Sequence, residues 1–111
     1  MNDMTDAQIS KALALAIGWK ESEIIDYPDQ DYVGIRTRIV TPCIRLFSYK
    51  FPAVIFPVAE RFDCFPYKDE NRSDGMRYAE CINKETGAFG LGWADTAAKA
   101  VALAVIAAHG G

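Results

Sequence analysis

The segment Ala97 to Ala108 limits the fold more than any other. It carries one charge, Lys99, and is otherwise apolar on every side. A helix without a polar face must be covered from more than one direction. A sheet covers one side. The first helix, rich in alanine at Ala12, Ala14 and Ala16, covers another, because alanine lets two backbones approach closely. The remainder is covered either within the monomer or by a second copy. The expected homo-oligomer surface is Ala98, Val101, Ala102 and Val105.

The rest of the chain divides by periodicity and turn chemistry. Thr5 with Gln8 three residues later reads as a capping box, and Ile9, Leu13 and Ile17 make a buried stripe. This predicts a helix from about Asp6 to Ile17, stopped by Gly18. A short strand is expected over Glu23 to Tyr27. Alternation predicts two further strands, Tyr32 to Val40 and Cys43 to Tyr49, joined by Thr41-Pro42. Pro52 suits the first position of a second helix ending near Phe62. Pro57 within it suggests a loose 3₁₀ start. Lys68 to Gly75 reads as a polar loop, and Arg77 to Asn83 and Ala88 to Trp93 as a hairpin. Asp95 or Thr96 caps the last helix. The expected class is α+β: three helices packed with a mostly antiparallel sheet of four to five strands, an αβα sandwich in the order αβββαββα. One domain spans 1–111.

Charge narrows the function classes. The net charge is −3, whereas a non-specific nucleic-acid binder is normally basic. Cys43, Cys64 and Cys81 are odd in number with no C-x-x-C spacing, so reduced thiols in the cytoplasm are expected. The N-terminus has neither the basic nor the apolar region of a secretory signal. The run Ala100 to Ala108 is far short of the ~20 residues a membrane span needs.

The central hairpin is the candidate binding face. A two-residue loop at Thr41-Pro42 sets Arg38 opposite Arg45, and Arg36 opposite Phe47. Val33, Ile35, Thr37, Ile39, Ile44 and Leu46 then form a core face. Arg36, Arg38, Arg45, Phe47 and Tyr49 form the other. Like charges directly opposite destabilise a hairpin, so a negative group is expected there. Arginine grips phosphate or carboxylate, and an aromatic ring stacks a base. The alternative is that these arginines pair with the chain's own carboxylates.

Other features are weaker. Gly87, Gly90 and Gly92 lack the dinucleotide spacing and are read as permitting tight strand–helix packing. Asp26, Asp29 and Asp31 are read as turn residues, because the loop lacks the calcium-loop pattern. Asp69, Glu70 and Asp74 belong to the polar loop. The single histidine, His109, is placed in a frayed tail, where it cannot hold an oriented base. No catalytic residue, metal site or cofactor is expected.

Three spaced segments carry a resemblance. The first helix ends in Ala16-Ile17-Gly18-Trp19. The middle holds Phe47-Ser48-Tyr49 and Phe56 to Asp63. The end runs from Gly92-Trp93-Ala94-Asp95-Thr96 to Ala104. Together they resemble small proteins of tailed phages and prophages with a phage αβα-sandwich domain. Where such proteins often have proline after the Asp-Thr pair, this chain has Ala97. The resemblance implies an antiparallel sheet between helices and a phage or prophage origin, but no reaction. The expectation is a non-enzymatic counter-defence protein in the bacterial cytoplasm that sequesters a small anionic nucleotide. The alternative partner is a host defence protein, inhibited by direct binding.

Overall fold

The computed structural model describes residues 4–27, 29–37, 43–68 and 75–110. Among them the chain forms three α-helices and six strands. Helix α1, Asp6–Ala16, starts at the expected capping box: the Thr5 N–H donates to Gln8 Oε1 at 2.8 Å, and the Gln8 N–H to Thr5 Oγ1 at 3.2 Å. Gly18 follows at φ 116°, a left-handed conformation suited to glycine. A 3₁₀ turn, Glu21–Glu23, leads into β1, Ile24–Ile25. Strands β2, Val33–Thr37, and β3, Cys43–Phe47, complete an antiparallel sheet ordered β1-β2-β3. Helix α2, Pro52–Phe62, is α-helical throughout despite Pro57, so the expected 3₁₀ start does not occur. It ends at Asp63 in the left-handed region, φ 51°.

A second antiparallel sheet follows, ordered β4-β5-β6, from Pro66–Lys68, Arg77–Ile82 and Phe89–Ala94. The expected single sheet of four to five strands is therefore corrected to two sheets of three strands. The additional strand is β4, too short and too near polar residues to show as an alternating run. Helix α3, Ala97–His109, is capped by Thr96, whose Oγ1 accepts from the Lys99 N–H at 3.3 Å.

Helix α3 lies along β5 and β6, with α1 and α2 also against it. Gly90 and Gly92 make this possible. A Cβ at Gly90 would overlap the Ala104 carbonyl and come within 2.6 Å of Ala108 N, and one at Gly92 would overlap the Ala100 carbonyl. The helix backbone thus rests on the strand backbone, with Ala100, Ala104 and Ala108 as its contact stripe. Val101, Ala102 and Val105 are also buried, at 2% exposure or less. That corrects the expected oligomer surface: three of its four residues are covered within the chain, and only Ala98 is half-buried. A single core joins α1, β2, β3, α2, β5, β6 and α3. Among the described residues no helix is long and apolar enough to cross a membrane.

A polar seam ties α1 to the chain after β3. The Tyr49 N–H donates to Ser10 Oγ at 3.2 Å, with both residues buried. The Tyr49 hydroxyl donates to Asp6 Oδ1 at 2.6 Å, and Lys50 Nζ lies 2.7 Å from Asp6 Oδ2. The Lys50 ammonium, then the Tyr49 hydroxyl, hold the Asp6 carboxyl below the usual carboxylate range. With the folded value depressed, the carboxylate contributes stability above its unfolded value near 4, lost as pH falls through the folded one. The urea midpoint is expected to fall as pH drops below about 4, and Asp6→Asn to flatten part of that fall. An unchanged profile in the variant would contradict the assignment. Ser10→Ala leaves the buried Tyr49 N–H without an acceptor and should cost about 1–3 kcal/mol in urea unfolding.

Candidate functional site: an arginine-edged cleft

The β2–β3 register decides which of the expected residues meet. Val33 pairs with Phe47, Ile35 with Arg45, and Arg36 with Ile44. Arg45 was expected opposite Arg38, so the pairing is shifted by three residues. An odd shift turns one strand over relative to the other. Arg45 and Phe47 accordingly share a side with Val33 and Ile35. Ile44 and Leu46, expected in the core, lie about half exposed on the side of Arg36. Arg38 and the Thr41-Pro42 turn lie outside the described residues.

The four expected ligand residues that are described, Arg36, Arg45, Phe47 and Tyr49, therefore do not form one face. Phe47 and Tyr49 are buried, so neither presents an open ring for stacking. Tyr49 is held by Asp6 and Ser10, and burial raises the pKa of its hydroxyl. Arg36 is exposed on the opposite side of β2. Arg45 and Phe47 do come together, in a cleft between β3 and α2.

This cleft has a volume of about 490 Å³. Its walls include Ile35 and Phe47 from the sheet, Phe51 before α2, and Val54 and Val58 from α2. Ile17 and Trp19, just past the end of α1, also line it. Pro57 lines it as well, which gives the proline a place on a working surface. Arg45 and Arg61 supply the positive charge. The Arg61 Nη1 donates to the Ile17 carbonyl at 3.0 Å, and its guanidinium lies 4.8 Å from the Phe62 ring centre. That fixes the side chain while leaving other N–H groups for a ligand. Arg45 is exposed and has no ion pair among the described residues.

The chain matches no protein-family model and no curated protein. The cleft must therefore be read from its own chemistry. Apolar walls with half-buried rings at Trp19 and Phe51 suit a planar organic group, and two guanidinium groups suit an anion attached to it.

The remaining candidates are occupied or structural. Asp26 pairs with Lys11 at 3.3 Å and Asp31 with Lys50 at 3.3 Å, so two of the three clustered aspartates serve ion pairs. The loop acids Asp69, Glu70 and Asp74 lie outside the described residues. His109 is not in a frayed tail: it occupies the last turn of α3, half-buried, its ring 4.5 Å from that of Phe62. Among the described residues no cluster of three His, Cys, Asp or Glu could hold a metal ion.

Proposed function

We propose that this chain is a non-enzymatic binding protein whose cleft sequesters a small organic anion of the nucleotide class. The observation that supports this is the conjunction of Arg45 and Arg61 with the Trp19 and Phe51 rings around one apolar cleft. Its volume lies within the ~300–1,000 Å³ common for small-ligand sites. Arg45 and Arg61 bind the phosphate, and Trp19 or Phe51 stacks the base. On the resemblance to small phage proteins, the role is counter-defence: removal of a cyclic or ADP-ribose-type nucleotide signal in the bacterial cytoplasm.

The test is a titration followed by Trp19 fluorescence, in a Trp93→Phe background so that one tryptophan reports. Cyclic dinucleotides and ADP-ribose are the probes. Arg45→Ala should weaken binding about tenfold to a hundredfold, the usual effect of losing a charge-assisted hydrogen bond. Arg36→Ala should leave it unchanged. Equal affinity in Arg45→Ala and the parent would refute the site.

A protein partner is the second reading, favoured by Ile44 and Leu46 standing half exposed beside Arg36. A stable complex with a purified host defence protein, formed without nucleotide, would support it.

A further inference from the structure

Among the described residues nothing covers the outer face of the β4-β5-β6 sheet. Residues on the α3 side of β5 and β6 are small and buried at Ala79, Cys81, Gly90, Gly92 and Ala94, with Arg77 half-buried at the start of β5. The opposite side alternates with large side chains. Tyr67, Tyr78 and Trp93 stand in register across the three strands, with successive ring centres 5.5 and 5.0 Å apart. Beside them Ile82 pairs with Phe89, and Glu80 with Leu91. Phe65, Tyr67, Ile82, Phe89, Leu91 and Trp93 are each between 38% and 57% exposed.

We propose that this face is a homodimer interface, in which two copies pack sheet against sheet about a two-fold axis. Area is the first argument. Six large side chains, each roughly half of ~200 Å² open to solvent, make an apolar patch of about 600 Å². That reaches the top of the range found on monomers. With its polar rim it approaches the ~800 Å² per partner of a stable interface. Two antiparallel faces packed at about 30°, the angle set by their twist, are a standard way of covering such a surface.

Charge selects the second copy. Glu80 is the one acid among these outward residues, and Lys84 lies just past the end of the same strand. Both are exposed, and neither makes an ion pair among the described residues. An axis near Ile82, with β5 antiparallel to its copy, sets each Glu80 beside the other copy's Lys84. The face is thus complementary to itself, as a two-fold interface requires. A single-stranded nucleic acid would find the aromatic rings but also the Glu80 charge, on a chain of net charge −3.

Sedimentation equilibrium of the full chain tests this, with circular dichroism to confirm folding. The parent should be a dimer at micromolar concentration, and Ile82→Lys should weaken association at least a hundredfold. Glu80→Lys and Lys84→Glu should each weaken it about tenfold or more, and the double swap should restore it. These charge variants lie on the surface and keep the test valid if Ile82→Lys fails to fold. A parent that stays monomeric at 100-fold higher concentration overturns the proposal. So does a dimer indifferent to Glu80→Lys, which would be using another surface. Neither outcome bears on nucleotide binding in the cleft.

Discussion

Gly92→Ala is expected to cost about 3 kcal/mol of stability, and Gly92→Val to leave the chain largely unfolded at 25 °C. Alanine ordinarily stabilises relative to glycine by about 0.4–1 kcal/mol, because it restricts the unfolded chain. Here the overlap decides the sign. The added methyl meets the Ala100 carbonyl and lies 2.7 Å from Ala104 N. Both belong to the helix backbone and have no rotamer by which to move aside. Helix α3 would have to lift off β6, opening the core at Ala100, Ala104 and Val105. Gly90→Ala should behave alike, since its methyl meets the next turn of the same helix. Gly87 is the control. Its φ is 77° and an added Cβ meets nothing within 4 Å, so alanine there should cost only about 1–2 kcal/mol of backbone strain. Asparagine, which tolerates the left-handed region, should recover part of that cost at Gly87 and none at Gly92. Urea unfolding of the set measures the difference. Equal losses at Gly87 and Gly92 would contradict direct helix–strand contact.

Cys64 should resist alkylation in the native protein by about three orders of magnitude relative to the unfolded chain, and Cys81, whose thiol burial also raises, should be slowed as well. Both are buried, at 0% and 1% exposure. Cys64 Sγ donates to the Val101 carbonyl and Cys81 Sγ to the Phe62 carbonyl, each at 3.9 Å. Burial, together with the neighbouring Cys81 thiol, pushes the Cys64 thiol up to about 12 from an ordinary value of 9.0. Only the thiolate reacts, and at neutral pH its fraction falls about a thousandfold with that change. Iodoacetamide labelling in a Cys43→Ser background isolates these two thiols. A native rate within tenfold of the unfolded rate would contradict the burial. The same change has a stability consequence. Because the folded value is raised, this contribution is complete below about pH 9 and is lost as pH rises toward 12.

The local parts of the fold were legible in the sequence. Thr5 with Gln8, Pro52 at a helix start and Thr96 before an apolar run are signals contained within four residues, and the three helices lie where those signals put them. The hairpin register was not legible. It depends on how residues 38–42 connect the strands, and a change of three residues exchanges the faces of β3. That exchange sent Phe47 inward and Ile44 outward. Strand β4 was missed because three residues beginning with proline carry no period. Of the three glycines read as packing positions, Gly87 serves the turn by its positive φ, and a Cβ added there meets nothing within 4 Å, whereas Gly90 and Gly92 do pack against the helix. Their partners Phe89, Leu91 and Trp93 follow by alternation: if the helix sits on the glycines, the large residues must point away from it. The cleft was half legible. Arg45 and Phe47 were singled out together, but Trp19 and Arg61 come from segments far apart in the chain. Their meeting is a product of the core, with no local pattern to announce it.

The structure gives this small chain two surfaces with different chemistry. One is an apolar cleft edged by guanidinium groups, and the other a broad aromatic sheet face. Sequestration needs tight binding without turnover, so an intact ligand must remain on the protein. Native mass spectrometry of the full chain with cyclic dinucleotides and ADP-ribose reads this directly. The protein is expected to gain the mass of one unaltered nucleotide per chain, to release it unchanged on heating, and to lose the gain in Arg45→Ala. A chain that gains no mass from any of these probes, or releases an altered product, would contradict sequestration.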